Sequence, residues 1–562
     1  MVQLSKITGA QFLAESLQAY AVTHVFFVPT ILSHTLGELE RRTNIKRILA
    51  HSEKAAAYMA DGYARASGRV GVCMAQTVGA ANLASGLRDA YLACTPMIAM
   101  TGGPYSWSRG RHMYQEIEDE PLFRSVTKYS SVVSEITRLP DTLRQAFREA
   151  TTGTPGPTHI QLEGHMGEIE GHEAALQVIR EERFGRAPAF RFAADDDSIR
   201  NALALLKTAE RPLIIAGGGT RTSGAGPELG ALAEKLRFPV ATSLNAKDII
   251  PNEHRLSVGV SGLYCRRSAN QAVLEADLVF FVGSHTGSQL TVDWRVPKTG
   301  TPVIQLDINP AELGRHYPNQ VSLLGDAKIT LQHMIDGTES ASPQTRANWL
   351  GRIATLVSNW REEFAPLLTS ESEPIRPERI CKELTDHLPA DAILVSDTGH
   401  SGMWTGGFVD CKHPQQAYIR AAGSLGWGLP GAIGAKVGMP DRPVLLFTGD
   451  GGLWYHLSEI ETAVRWKIDI VILVNNNKSL NQEIETYKEV YGGKLTGRHG
   501  DLWQFKDVDF SVLAKSMGAG GVRVTRPSEL SGALAQGFAA TGPFVIDVVT
   551  DIDALAPLAF TY

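Results

Sequence analysis

The sequence predicts an α/β protein made of three doubly wound domains, each built on a parallel β-sheet. Apolar runs of strand length recur along the chain without two-residue alternation, as in DLVFFVG (277–283), which is typical of strands buried on both faces of a sheet. Helical patterns separate these runs, and such alternation favours βαβ units. The chain has 562 residues, which suits about three domains at roughly 100–200 residues each.

The predicted strands form three groups along the chain. Two polar stretches without a clear element, 181–197 and 337–347, separate the groups and are typical of linkers. We therefore expect domains over 1–180, 190–338 and 348–562, the first and last being similar sheet domains. In chain order the predicted strands are HVFFVP, RVGVCMA and PMIAMTG; RPLIIAGGG, DLVFFVG and PVIQLDI; and DAILVSD, PVLLFTGDGG, IDIVILVNNN and PFVIDVVTD.

Composition narrows the class of protein. The net charge is −6 without a basic block, so neither nucleic acid nor an anionic membrane is an expected partner. The five cysteines are scattered without a C-x-x-C pair, which favours a reducing cytoplasm over a disulfide framework or zinc site. No secretory signal is evident, and no apolar run reaches the roughly 20 residues of a membrane span.

Two loops carry the strongest functional signal. GDGG (449–452) ends one predicted strand, and NNN (475–477) ends the next. In a right-handed βαβ unit both loops lie at the carboxyl edge of the sheet, so Asp450 and Asn477 are expected to converge. A carboxylate with an amide oxygen suits Mg²⁺, and glycines at a helix N-terminus let backbone N–H groups approach phosphate. A lone GDG would indicate an ordinary turn, but the pair of loops favours the metal site.

GDG followed by NN some 25 residues later resembles the signature of thiamine-diphosphate enzymes, and the whole chain resembles their acetolactate synthase-like family. This family includes 2-oxo acid decarboxylases and 2-hydroxyacyl-CoA lyases. The resemblance implies pyrimidine-binding, central and diphosphate-binding domains, in that order. It also implies that thiamine diphosphate and Mg²⁺ are the cofactors, with Asp450, Asn477 and the main-chain oxygen of Ser479 as metal ligands.

Two further segments fit the same family. SDTGHSGMW (396–404) matches a loop that contacts the diphosphate, and GSLGWGLPGAIGA (423–435) matches a run whose apolar residue, here Leu425, props the cofactor in a bent shape. Leu425 on its own would be an ordinary core residue, and His400 a surface histidine. The cofactor-binding residues implied by the resemblance are Thr398, Gly399, His400, Ser401, Gly423, Leu425, Gly449, Asp450, Gly451, Gly452 and Asn477.

The resemblance also supplies an activating carboxylate. Thiamine chemistry requires a carboxylate beside a pyrimidine ring nitrogen. Glu53, upstream of the GYAR motif (62–65), falls at the family's catalytic glutamate. A glutamate near a helix start is otherwise a cap or dipole partner. The small residues of the predicted helix 55–66 would let it pack tightly beneath the cofactor.

The resemblance also implies an assembly. In the family, the domain that bears the catalytic glutamate in one subunit faces the metal-bearing domain of another. We therefore expect at least a homodimer, and a homotetramer as the larger assembly.

The substrate side departs from acetolactate synthases. MYQE (113–116) stands where the family has A-F-Q-E, which makes Gln115 a catalytic candidate and Tyr114 and Lys128 pocket candidates. Thr486 replaces the tryptophan that favours a second 2-oxo acid. Glu483 matches a glutamate of pyruvate-decarboxylase-type enzymes that delivers a proton. Glu485 is its weaker competitor, and both would otherwise lie on a solvated helix face.

Three reactions stay open at this point. The leading one decarboxylates a 2-oxo acid and transfers the acyl carbanion equivalent to a carbonyl acceptor. The alternatives are a 2-oxo acid decarboxylase that releases an aldehyde, and a 2-hydroxyacyl-CoA lyase. AGGGTRTSGAG (216–226) in the central domain is a weak dinucleotide signal, and 283–289 lacks the charges of flavin-binding relatives, so FAD is not expected. If the substrate is a CoA ester, Arg221 is the one nearby cation that we expect to bind its ADP part.

Overall fold

The computed structural model describes residues 6–342 and 344–559. The remaining residues include both ends of the chain and one position of the predicted linker 337–347, and they lie outside the described part. Three six-stranded parallel sheets, each flanked by helices, form the fold. The predicted class of three parallel α/β domains is therefore confirmed.

In the N-terminal domain the sheet has the strand order β3-β2-β4-β5-β7-β6, and β1 pairs with β8 in a separate antiparallel ribbon. The elements are β1 (Lys6–Thr8), α1 (Gly9–Ala19), β2 (His24–Phe27), α2 (Ser33–Arg42), β3 (Lys46–Leu49), α3 (Glu53–Ser67), β4 (Gly71–Ala75), α4 (Thr77–Leu92), β5 (Met97–Gly103), α5 (Glu120–Phe123), β6 (Tyr129–Val133), α6 (Leu139–Thr151), β7 (Pro157–Glu163) and β8 (Glu173–Ala175).

In the middle domain the order is β11-β10-β9-β12-β13-β14, the arrangement of dinucleotide-binding sheets. The elements are α7 (Asp196–Thr208), β9 (Pro212–Ala216), α8 (Gly218–Thr222), α9 (Gly226–Leu236), β10 (Val240–Thr242), β11 (Ser257–Val260), α10 (Arg267–Glu275), β12 (Leu278–Val282), α11 (Ser288–Thr291), β13 (Val303–Asp307), β14 (Asn319–Leu324) and α12 (Ala327–Asp336).

In the C-terminal domain the order is β16-β15-β17-β18-β20-β19, which repeats the connectivity of the N-terminal sheet. The elements are α13 (Ala347–Leu368), α14 (Pro377–His387), β15 (Ile393–Ser396), α15 (His400–Phe408), β16 (Ala417–Arg420), α16 (Gly428–Gly438), β17 (Val444–Gly449), α17 (Asp450–Trp454), α18 (Glu459–Arg465), β18 (Val471–Asn476), α19 (Ile484–Val490), α20 (Phe510–Ser516), β19 (Gly520–Val524), α21 (Leu530–Ala539) and β20 (Phe544–Val549).

The N-terminal and C-terminal domains of one chain share a hydrophobic core through α3 and α16. Their backbones approach so closely that a Cβ atom at Gly62 would lie 2.1 Å from the Gly431 carbonyl oxygen. The small residues of α3 thus serve this interdomain contact.

The described residues also form seven short 3₁₀ helices: Ile136–Arg138, Glu168–Gly171, Glu182–Gly185, Leu244–Ala246, Asn481–Glu483, His499–Leu502 and Pro527–Glu529. Among the residues described, none of the helices is long and apolar enough to cross a bilayer.

Candidate functional site

The predicted cofactor residues of the C-terminal domain line one cavity of about 440 Å³. It lies at the carboxyl edge of the third sheet, where β17 and β18 run parallel with Gly449 opposite Asn475. Side-by-side parallel strands place the loops that follow them at the same edge. The cavity wall includes Thr398, Gly399, His400, Ser401, Gly423, Leu425, Gly449, Asp450, Gly451, Gly452, Asn477, Ser479 and Glu483. The geometry thus brings these residues together, and their individual roles stay predictions.

Asp450 is a buried carboxylate at this cavity, with 2% of its surface exposed. Burial raises the pKa of Asp450 to about 7, and the backbone N–H groups of Gly451 and Ser479 oppose that rise. The Asn477 side-chain oxygen accepts hydrogen bonds from the Ser479 backbone N–H and hydroxyl, at 3.1 and 2.9 Å. A cation beside Asp450 would favour its ionised form.

The donor set fits a hard cation bound to a diphosphate. Asn475 lines the same cavity, and its buried side-chain oxygen has no hydrogen-bond partner among the described residues. Together with Asp450 and Asn477 it supplies the oxygen ligands that Mg²⁺ prefers. Gly399, at the start of α15, has φ of +67°, a backbone conformation that favours glycine and brings the chain close to the cavity.

His400 has a defined hydrogen-bonding role in the cavity wall. Its Nδ1 lies 2.8 Å from the Asn481 side-chain oxygen, while the Asn481 amide nitrogen donates to the carbonyl oxygens of Ile552 and Ala554. This fixes the Asn481 orientation, so His400 Nδ1 donates. Burial lowers the pKa of His400, and the neutral ring then keeps Nε2 as an acceptor.

The sequence analysis missed several residues of the wall, and four of them differ in the signal they offered. Asp397 accepts hydrogen bonds from the Thr398, Gly426 and Gly428 backbone N–H groups. Its place inside the matched segment 396–404 was the available signal. Arg420 ends β16 and belongs to no matched motif. Tyr264 and Gln289 come from the middle domain, and no local pattern links them to this cavity.

Glu53 lies elsewhere within the chain, because none of the described N-terminal residues lines the cavity. It sits in the first turn of α3, half-buried, and accepts a hydrogen bond from the Asn82 amide at 3.1 Å. A Cβ atom at Gly79 would lie 2.5 Å from its Oε1, so the glycine is needed for this approach. The carboxylate therefore belongs to the carboxyl edge of the first sheet.

The other N-terminal candidates differ in their surroundings. Gln115 is half-buried with φ of +59°, and its amide donates to the Tyr114 hydroxyl at 3.3 Å. Tyr114 itself is 78% exposed. Lys128 donates to the carbonyl oxygens of Glu149, Thr152 and Thr154, at 2.6, 3.0 and 2.6 Å. These bonds cap the C-terminal end of α6, which gives Lys128 a structural role, and its predicted pocket role stays a prediction.

Beyond the metal loop, the structure separates the two competing glutamates. Glu483 lines the cavity, whereas Glu485 lies outside its wall and pairs with Lys488 at 2.7 Å. Thr486, at the family's tryptophan position, is exposed and also lies outside the wall.

A second cavity of about 410 Å³ lies at the carboxyl edge of the middle sheet, against the N-terminal domain. It shares Gln289, Arg420 and Ala422 with the first cavity. Arg221 lies outside its wall and lines an adjoining cavity of about 290 Å³, and its guanidinium pairs with Asp248 at 3.0 Å. The nucleotide role considered for Arg221 and the expectation that FAD is not used both stay predictions.

Comparison with known proteins agrees with this geometry. Family models described as the N-terminal TPP binding domain, the central domain and the C-terminal TPP binding domain of thiamine pyrophosphate enzymes match residues 7–122, 199–334 and 397–548. The fold and the site therefore define a three-domain thiamine-diphosphate enzyme. More closely, relatives named as acetolactate synthases are 30–32% identical over most of the chain. The chain therefore belongs to the acetolactate synthase-like family and is a thiamine-diphosphate-dependent carboligase of that type.

Three relatives show how similar this chain is to known acetolactate synthases. A probable acetolactate synthase large subunit of Methanocaldococcus jannaschii is 32% identical, over 98% of this chain and 93% of that protein. An acetolactate synthase of Arthrospira platensis is 30% identical, over 97% and 94%. The large subunit of acetolactate synthase isozyme 1 of Escherichia coli is 32% identical, over 84% and 82%.

Proposed function

We propose that this enzyme decarboxylates a 2-oxo acid and joins the acyl carbanion equivalent to a carbonyl acceptor. The observation that carries the proposal is the single cavity formed by the loops after β15, β17 and β18. In it Asp450, Asn477 and the Ser479 carbonyl would hold Mg²⁺, and the N-terminal ends of α15 and α17 would hold the diphosphate.

Thiamine diphosphate, when bound, supplies a nucleophilic carbon that adds to a carbonyl and stabilises the charge left after loss of CO₂. The chain contributes the surroundings of that chemistry. Leu425 would support the cofactor's bent shape, and His400 Nε2 offers a hydrogen-bond acceptor. Glu483 would hold a proton near the substrate. The relatives named as acetolactate synthases support carboligation over aldehyde release or CoA-ester cleavage.

We further propose that the working unit is a homodimer in which each cavity receives Glu53 and Gln115 from the partner subunit. Both residues lie outside the cavity of their own chain, although Glu53 must reach the cofactor to act on it. Exposed apolar side chains support this pairing on both sides. In the N-terminal domain Trp107 and Tyr114 are 63% and 78% exposed, and in the C-terminal domain, which carries the cavity, Tyr455 is 53% exposed. Two such dimers would form the homotetramer expected from the family.

Substrate identity is tested by CO₂ release from a panel of 2-oxo acids, with thiamine diphosphate and Mg²⁺ present and products identified by mass. The proposal expects release with at least one acid and an acyloin or acetohydroxy acid as product. Free aldehyde as the sole product would establish the decarboxylase instead. No release with cofactor bound would contradict decarboxylation and direct the search to 2-hydroxyacyl-CoA cleavage.

The Glu483→Gln variant is expected to slow aldehyde release by about 10²-fold, a typical contribution of general acid catalysis, while carboligation slows less. Glu483 is the glutamate that lines the cavity, so it can deliver a proton that carboligation does not need. The measurement compares both product rates on one substrate. Glu485→Gln is the matched control, because Glu485 lies two positions away and pairs with Lys488. Equal slowing of both products in Glu483→Gln would remove the specific protonation role.

A further inference from the structure

The loop that carries Leu425 is held by a carboxylate from another domain. The backbone N–H groups of Ala422, Gly423 and Ser424 all donate to Asp89, at 2.8, 3.2 and 3.0 Å. Asp89 lies in α4 of the N-terminal domain and is fully buried. Charge-assisted bonds to backbone N–H groups are stronger than neutral ones, so three consecutive residues of the loop are fixed through their backbone.

A second carboxylate holds the other side of the same loop. Gly426 and Gly428 donate their backbone N–H groups to Asp397, both at 3.2 Å. Leu425 therefore lies between two anchored stretches, and its side chain, 39% exposed, lines the cofactor cavity. Because the backbone is bonded on both sides, the position of the Leu425 side chain depends on both carboxylates.

Asp89 is in turn part of a buried ion-pair cluster. The Arg65 guanidinium lies 2.8 Å from Asp89 and 2.5 Å from Asp61, and donates to the Arg420 carbonyl oxygen at 2.6 Å. Asp61 also accepts the Trp427 indole N–H at 2.8 Å. The cluster thus contacts the loop near both ends, at the last residue of β16 and at the residue just before α16.

We propose that Asp89, supported by Arg65 and Asp61, is a positioning residue for cofactor binding, because it sets the loop that presents Leu425 to thiamine diphosphate. Asp89 does not line the cavity, so it acts through the loop. The inference rests on the proposed function and assigns part of the cofactor site to the N-terminal domain of the same chain. The partner subunit would supply Glu53, so both N-terminal domains of a dimer would serve each cavity.

The test is the affinity of the full-length Asp89→Asn enzyme for thiamine diphosphate at saturating Mg²⁺. The amide keeps the shape of the side chain but places an NH₂ group against N–H donors. We expect the dissociation constant to rise at least tenfold, while kcat at saturating cofactor changes less. Wild-type affinity in Asp89→Asn would overturn the proposal.

A double variant separates positioning from general stability. If Asp89 acts through Leu425, adding Asp89→Asn to Leu425→Ala should weaken binding little beyond Leu425→Ala alone, because coupled residues are not additive. Fully additive effects would contradict the proposal. If Asp89→Asn does not fold, Arg65→Lys gives the same test, because it keeps the charge but loses the planar fork that contacts both carboxylates.

Asp410→Asn is the matched control. Asp410 forms a buried ion pair with Arg266 at 2.5 Å, between the C-terminal and middle domains and without contact to the Leu425 loop. This variant should lose thermal stability and keep its cofactor affinity. An equal loss of affinity in Asp410→Asn would show that breaking any buried ion pair weakens cofactor binding, and would contradict a specific role for Asp89.

The Asp450→Ala variant separates this inference from the proposed function. If Asp450→Ala retains the cofactor, the proposed site itself is wrong. If it loses the cofactor and Asp89→Asn does not, only the positioning role of Asp89 fails.

Discussion

The Asp450→Ala variant is expected to lose Mg²⁺-dependent retention of thiamine diphosphate. Asp450 is the one carboxylate in the predicted metal set, and Asn477 and the Ser479 carbonyl bring no negative charge. Removing one partner of a buried charge pair costs about 3–5 kcal/mol, which is a loss of roughly 10²-fold or more in affinity. Gel filtration of the loaded enzyme, followed by assay of the bound cofactor, measures the effect.

The apo protein provides the control for Asp450→Ala. Burial already disfavours the ionised form of this carboxylate, so its removal should leave the melting temperature of the cofactor-free protein unchanged or higher. In the wild type, Mg²⁺ with cofactor should raise the melting temperature, since a ligand that binds the native state stabilises it. A variant that still copurifies with the diphosphate would place the metal site elsewhere.

The Glu53→Gln variant is expected to keep the cofactor and lose about 10²- to 10⁴-fold in turnover, the range of general acid–base catalysis. The amide fills the same space in the first turn of α3 but cannot act as the proton partner of the pyrimidine ring. Turnover and bound cofactor are measured on the same preparation. Asp141→Asn is the matched control for a dipole role, because Asp141 also lies in a first helical turn, that of α6. Unchanged turnover in Glu53→Gln would remove Glu53 from the mechanism.

Mixing the two inactive chains tests the shared site. If each cavity receives Glu53 from the partner subunit, a heterodimer of Glu53→Gln and Asp450→Ala chains has one cavity with both residues intact and one with neither. If Glu53 acts across the subunit interface, refolding the variants together should restore part of the activity that each lacks alone. No recovery from a verified heterodimer would place both residues of a working site in one chain.

The sequence predicted the central strands of the three sheets and missed mainly edge strands. The strand β14 alternates between exposed positions and half-buried or buried ones, so it lacks the continuous apolar run by which central strands were identified. The strand β7 is buried but contains polar residues, including His159, which stacks on Phe123 at 3.5 Å. The polar side chains of β7 find their partners in distant parts of the chain, so no local sequence pattern predicts that this strand is buried.

The sequence by itself determined the class of enzyme and the motif loops that supply most of the cofactor cavity. The loops that build the cavity follow parallel strands, and the geometry of such a sheet brings those loops to one edge whatever the rest of the molecule does. The motif residues around Asp450 and Asn477 could therefore be grouped from their positions alone.

Only the tertiary structure decided which distant residues support that cavity and which candidates lie outside it. Lys128 caps a helix, Arg221 pairs with Asp248, and Glu53 lies away from the cavity of its own chain. The contact of Asp89 with the Leu425 loop spans more than 330 positions of sequence. Such contacts depend on how α3 packs against α16, and their hydrogen bonds form between domains whose relative placement no local pattern contains.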